Sequence, residues 1–416
     1  MTAPLPTETS GRRRLAETLA SRPKAHSLPG RLYTDPDVLA LEYEHLWHRE
    51  WVFAGHECEL AEPGSFLTLT VGSYPVLVVR GDDGELRALH NVCRHRGFVI
   101  CDAASGAVRR RFVCPYHQWS YALDGSLAKA RSMPDDFDAS GYGLAAAHCA
   151  VVGGLVYVCV AADPPDFEPV RSMVEPYLAP FDLRDARVAF ESTITEHGNW
   201  KLVMENNREC YHCRASHPEL SVTFPEAPLH SGGGSDDELR RIAELVERCE
   251  ADGLPSRFTI ADDHQYRVMR MPFVGETRSM TLDGSPAVAR TFGVLPSGNI
   301  GDVLLYHYPS TWNHFTADHA VTFRMLPTGP TATELRTTWL VPGGAAEGVD
   351  YDLRRLTEVW LATNAQDTAL VERTQRGVGS PAYRPGPYSP TDEEGVIQFV
   401  DWYADTMGRR LEGDER

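Results

Sequence analysis

No apolar run in the chain approaches the roughly 20 residues that cross a bilayer, so no membrane helix is expected. No apolar core follows the basic Arg12, Arg13 and Arg14, so a secretory leader is not expected either. Positive charge is in deficit. Forty Lys and Arg stand against 58 Asp and Glu, a formal charge of −18. That balance argues against nucleic acid or an anionic membrane as a partner and leaves a cationic ligand open. Nine cysteines in 416 residues are too few and too scattered for a disulfide framework. Two of them belong to a metal motif described below. The other seven (Cys58, Cys101, Cys149, Cys159, Cys210, Cys213 and Cys249) form an odd remainder that favours a reducing cytoplasm. Internal repeats and low-complexity blocks are absent.

What remains is an ordinary globular composition, 42% hydrophobic and 24% charged, in a chain long enough for two domains. Residues 1–30 read as a loose polar arm. Asp35 is predicted to cap a helix over residues 37–47, with Pro36 at its first position, where a missing N–H costs nothing. From Trp51 to about Val160 the pattern is β-rich. Residues 66–71 and 74–80 lead into the turn signal Gly81, Asp82, Asp83, Gly84, and Gly153 with Gly154 interrupts a second strand-rich stretch at 151–160. Residues 161–180 carry five prolines and read as a connector. Beyond them the pattern predicts a strand at 187–195, a helix at 199–210, a hinge at 231–235 and an amphipathic helix at 236–249. Strands follow over 265–341, and a long helix over 351–375. The expected division is 1–45 as arm and helix, 46–165 as a β domain carrying the first metal motif, and 166–416 as a second domain.

The first motif is Cys93-Arg94-His95 with Cys114-Pro115-Tyr116-His117, the halves separated by 18 residues. Two thiolates and two imidazoles can hold a [2Fe–2S] cluster with both histidines on one iron, or a zinc ion. The second is Glu209-Cys210-Tyr211-His212, with His217 five residues on. On a continued helix Glu209 and His212 share a side, whereas His217 falls about 140° from His212. The helix must therefore distort or end there, and Pro218 fits an ending. A third ligand comes from the long helix, whose apolar stripe of Leu353, Leu356, Trp360, Leu370 and Val371 includes Asp367. A carboxylate on a buried face is costly unless paired or metal-bound, and Arg354, Arg355, Glu358 and Arg373 mark the solvent side. His212, His217 and Asp367 then make a facial triad for one ferrous ion with open positions, with Asp302 and Asp318 as weaker alternatives to Asp367.

The stretch Cys114-Pro-Tyr-His117-Gln-Trp-Ser-Tyr-Ala-Leu-Asp-Gly125, with Cys93-Arg-His95-Arg-Gly97 before it, resembles the Rieske motif of ring-hydroxylating and demethylating oxygenases. Its halves stand further apart than is usual, with Arg109, Arg110 and Arg111 in the excess, and Gln118 stands where many relatives carry Gly. The opening Asn199-Trp-Lys-Leu-Val-Met-Glu205-Asn is shared widely among such oxygenases. Glu209-Cys-Tyr-His212-Cys213, Asn364-Ala-Gln-Asp367, Tyr383-Arg-Pro-Gly-Pro-Tyr-Ser389 and Phe399-Val-Asp-Trp-Tyr403 are similar to one branch, the glycine betaine, carnitine, proline betaine and choline monooxygenases.

The resemblance implies an α+β fold, an antiparallel β Rieske domain inserted into a helix-grip-type catalytic domain with an antiparallel sheet and long helices. It implies a [2Fe–2S] cluster on Cys93, His95, Cys114 and His117, and a mononuclear Fe(2+) on His212, His217 and Asp367. A flavin/iron–sulfur reductase would supply NAD(P)H electrons. These would pass from His117 through the carboxylate of Glu209, where most of the family has Asp, to His212 of a neighbour in a head-to-tail homotrimer. With O2, hydroxylation of an N-methyl group of a small cation, glycine betaine above all, would release formaldehyde and dimethylglycine. Proline betaine, carnitine, choline or another natural product stands as the alternative substrate. Cation recognition calls for aromatic faces, and Tyr306, Trp312 and Phe315 are the candidates, with Tyr308 and Phe292 in the same segment. Cys210 and Cys213 read as packing residues.

Overall fold

Short apolar strands between residues 52 and 159 build the first sheet of the protein, a computed structural model that describes residues 6–225, 236–296 and 298–413. Two helices precede it, α1 (Pro6–Ala20) and α2 (Pro36–Glu42). The strands are β1 (Val52–His56), β2 (Ser65–Val71), β3 (Tyr74–Arg80), β4 (Leu86–His90), β5 (Ser105–Ala107), β6 (Arg111–Val113), β7 (Ser120–Ala122), β8 (Leu127–Lys129), β9 (Ala146–Val152) and β10 (Leu155–Cys159). Seven pair antiparallel in the order β1-β10-β9-β4-β3-β2-β5, and β6-β7-β8 form a small second sheet. The β9–β10 turn needs positive φ at both central positions, and Gly153 (53°) and Gly154 (82°) provide it.

The second half is one seven-stranded antiparallel sheet under long helices. In chain order come α3 (Glu168–Leu178), β11 (Ala186–Glu196), α4 (Trp200–Asn207), α5 (Cys213–Ser216), α6 (Asp236–Ala251), β12 (Thr259–Ile260) and β13 (Tyr266–Met271). They are followed by β14 (Asp302–His307), β15 (Thr311–Phe315), β16 (Ala320–Gly329), β17 (Ala332–Pro342), α7 (Leu353–Val378) and α8 (Glu394–Gly413). The strand order is β11-β17-β16-β15-β14-β13-β12. The fold is therefore α+β, as the resemblance implies. No helix among the described residues is long and apolar enough to cross a membrane.

Four expectations need correction or narrowing. The arm at 1–30 contains helix α1, anchored by buried Leu15 and Leu19 and by Arg22 paired to Asp401. The connector at 161–180 holds α3, because Pro169 lies in its first turn, where no N–H is required. The helix expected over 199–210 stops at Asn207, so Glu209 and His212 sit on the turn that follows. Cys210 and Cys213, read as packing thiols, are joined in a disulfide, their Cα atoms 4.9 Å apart across that turn. The hinge expected at 231–235 lies outside the described residues.

Helix α4 positions the site, and it is held from three sides. Asn199 caps it, its side chain accepting from the Lys201 N–H. Lys201 Nζ lies 2.5 Å from Glu42 Oε1 with both side chains fully buried, and Trp200 and Tyr403 donate to the same carboxylate. One turn on, Glu205 accepts from Tyr33 (2.8 Å) and Tyr388 (3.0 Å). Burial pushes the Glu205 carboxyl up to about 7 against those two donors.

Candidate metal centres and cavity

The Rieske motif occupies two loops that fold alike. The Gly97 N–H donates to Cys93 O and the Gln118 N–H to Cys114 O, so each cysteine carries its own turn. Those turns end in positive φ at Gly97 (73°) and Gln118 (61°). This explains why glycine suits position 118. Gln118 accepts a conformational cost of about 1 kcal/mol, and its side chain accepts a hydrogen bond from Arg131 at 2.7 Å. Cys93 and Cys114 are buried, while His95 is exposed and His117 half-buried, their ring centroids 4.5 Å apart. Tyr121, fully buried, places its hydroxyl 3.2 Å from Cys93 Sγ and accepts from the Arg94 N–H. Phe98, Val99, Val113 and Tyr116 are exposed around the tips.

Among the described residues, donor atoms of three such side chains converge within 4.8 Å at one place only, around His212 and His217.

At the second centre, His212 Nε2 and His217 Nε2 are 3.0 Å apart, and Asp367 Oδ1 lies 3.4 Å and 3.0 Å from them. Donors about 2.1 Å from one ion and at right angles stand roughly 3.0 Å apart, so this face fits an octahedral metal. Cys213 Sγ also lies within reach but is engaged with Cys210. Each donor is oriented from behind. Glu209 Oε1 lies 2.5 Å from His212 Nδ1, Gln366 Oε1 lies 2.8 Å from His217 Nδ1, and Asn206 donates to Asp367 at 2.7 Å. Without metal the trio shares protons. Burial lowers the His212 pKa, but Asp367 and Glu209 outweigh it and hold it at about 9, and His217 is raised against its burial by Asp367 and Gln366.

The triad opens into a cavity of about 90 Å³, small beside the roughly 300–1,000 Å³ common for ligand sites. Phe224, Tyr306, His314 and Trp360 supply its rings. Of the aromatic candidates, Tyr306 lines it. Trp312 stacks on Phe323 and borders a smaller space behind Asp367. Phe315 and Phe292 pack against Phe181 in a separate core, and Tyr308 is buried against Phe399 and Trp402. Asp302 binds His314 and Asp318 caps the backbone of Ala287 and Val288, so neither reaches the triad.

A Rieske [2Fe–2S] domain matches residues 50–145, and the ring hydroxylating alpha subunit (catalytic domain) matches residues 183–409. The chain belongs to the Rieske-type ring-hydroxylating oxygenases. Such an oxygenase carries the cluster and, in its catalytic domain, a mononuclear iron. The chain is 45% identical to the glycine betaine monooxygenase oxygenase subunit of Chromohalobacter salexigens, over 96% of this chain and 90% of that one. It is 42% identical to the corresponding subunit of Pseudomonas aeruginosa, over 97% and 94%. The crystal structure of the quaternary ammonium Rieske monooxygenase CntA with an inhibitor superposes with a TM-score of 0.72. It has 22% identity and covers 94% of this chain and 98% of that one.

Sequence reasoning on this oxygenase did not single out Gln366, Asn206, Tyr121, Phe224 or His314. Gln366 and Asn206 stand beside named residues within quoted motifs, which was the available signal. Phe224 and His314 carry none.

Proposed function

We propose that this oxygenase subunit hydroxylates an N-methyl group of glycine betaine, the product collapsing to formaldehyde and dimethylglycine. The observation that carries the reading is the His212, His217 and Asp367 face at the floor of a small cavity walled by aromatic rings. Near-full-length similarity to glycine betaine monooxygenase subunits supports the choice of substrate. In this reading Cys93, His95, Cys114 and His117 hold the cluster, and His212, His217 and Asp367 hold the iron. Iron held there would supply oxygen activation and C–H hydroxylation, with electrons delivered through the cluster.

The chain's own side chains arrange that chemistry. Glu209 accepts from His212 Nδ1–H and so leaves Nε2 as the metal donor, and Gln366 does the same for His217. Glu209 also carries the link toward the cluster of a neighbouring subunit in a homotrimer, served by an NAD(P)H-dependent reductase in the cytoplasm. Residues 46–165 form the cluster-bearing unit and 166–416 the iron-bearing unit.

The test is formaldehyde release with a matched reductase, NADH and O2 across glycine betaine, proline betaine, carnitine, choline and an aromatic acid. Formaldehyde from glycine betaine above the rest is the expected result. None from any of them, with the cluster still reducible, would discard N-demethylation.

A further inference from the structure

We propose that Arg208 receives the substrate carboxylate, so that the cavity selects N-methyl cations that bear a carboxylate over those that lack one. The inference rests on the demethylase reading above and names the residue that sets its substrate class. Arg208 ends α4, lines the cavity beside the triad and is only 4% exposed. Its Nε donates to the Tyr308 hydroxyl. Its Nη1 and Nη2 are buried with no hydrogen-bond partner. A buried guanidinium with its outer edge unbonded is costly, and a carboxylate is the group that fits that edge with two parallel hydrogen bonds.

The surroundings fix the guanidinium in place. It lies 4.0 Å from the Tyr306 ring centroid, and Arg267 lies 4.9 Å from the same ring. Gly395, at the start of α8, packs so closely that an added Cβ would fall 3.0 Å from Arg208 Nη2. Arg267 donates to Gln398, and burial followed by the Arg208 charge lowers it to about 10, with Glu394 opposing. This side of the wall carries two guanidinium groups, with the carboxylates of Glu394 and Asp392 also lining the cavity. The Tyr306 face is taken by guanidinium, which leaves Phe224 and Trp360 to meet the trimethylammonium end. One methylene separates carboxylate from ammonium in glycine betaine, so anchor and triad can act on one molecule in a cavity this small. Arg208 directly precedes Glu209, the residue behind His212, and lines the same cavity as the triad.

The experiment measures kcat/KM for formaldehyde release by the full chain with its reductase. The substrates are glycine betaine, its uncharged amide and choline. For the wild type, masking or deleting the carboxylate should lower kcat/KM on the order of 10- to 100-fold, chiefly through KM. Arg208→Gln should impose a similar loss on glycine betaine and less than about threefold on the amide and choline, because the missing partner is already absent. Arg208→Lys should fall between. Visible cluster absorbance and iron content show whether the variants are folded. Equal losses on all three substrates, or none, would overturn the anchor. So would a wild type indifferent to the carboxylate, a readout that needs no variant. No formaldehyde from any of the three would instead overturn the demethylase reading, and the anchor with it.

Discussion

Asp367 is the residue whose loss should be the most selective. Asp367→Ala removes one of three converging donors and leaves the Rieske loops untouched, so turnover is expected to fall more than 100-fold with the visible cluster spectrum unchanged. Loss of the spectrum would contradict two independent centres. Glu209→Gln keeps an acceptor for His212 Nδ1–H but removes the charge. Iron content should hold while turnover drops on the order of 10- to 100-fold. The protons the triad holds in iron-free protein set a pH dependence. His212 is raised above its usual value to about 9, so below that pH iron must displace a proton. Apparent Fe(2+) affinity of iron-free protein should rise roughly tenfold per pH unit between 6 and 9, followed by anaerobic titration. The stabilising His212 contacts run the other way, fully present at low pH and lost as pH rises through about 9.

At this scale the candidate donors were legible chiefly through motifs that resemble those of the oxygenase family, since spacing alone left a zinc site open for the first set and gave little for the His212–His217 pair. Cys93 and His95, Cys114 and His117, and His212 and His217 are each close in the chain, and Asp367 stands as a carboxylate on an apolar stripe. The cavity wall was not legible. Strands β14 and β15 are buried along their whole length, so no inside–outside alternation separates Tyr306, which faces the cavity, from Phe315, which faces another core. Phe224, Arg208 and Trp360 meet there from three separate segments.

Among the elements, α4 is the hub, and its buried charges give it a distinct signature. The Glu205 pKa is raised from 4.5 to about 7, so the folded state retains a proton that the unfolded chain releases first. Stability from this group is complete below about pH 4.5 and is lost as pH rises through about 7. Glu205→Gln should therefore gain on wild type by about 3 kcal/mol between pH 4.5 and pH 8, read from denaturant unfolding at the two pH values. A difference that does not change with pH would place the proton elsewhere. The helices with a clear stripe or cap, α2, α6 and α7, were visible in the sequence, Asp35 and Pro36 marking the first of them. Four were missed, α1, α3, α5 and α8, and the first two had obscured signals. The α1 sequence opens with Pro, Thr and Glu and gives the core Leu15 and Leu19 among its described side chains, with Ala16 beside them, and α3 hides among prolines.

At the scale of the whole molecule, an α+β chain keeps its two metal chemistries on different supports. The cluster loops stand at the surface of the strands built from residues 52–159, and the triad is carried by the chain around α5 and by α7, among the helices packed on the second sheet. The apolar ring of Phe98, Val99, Val113 and Tyr116 around the cluster tips faces water in the single chain. Reduction potentials of such clusters depend on how much water reaches them. Covering that ring with another subunit would retune the cluster, making its midpoint potential a property of the assembly. A redox titration repeated over a dilution series would then act as an association assay, the potential drifting as subunits part and the drift reporting their affinity in millivolts.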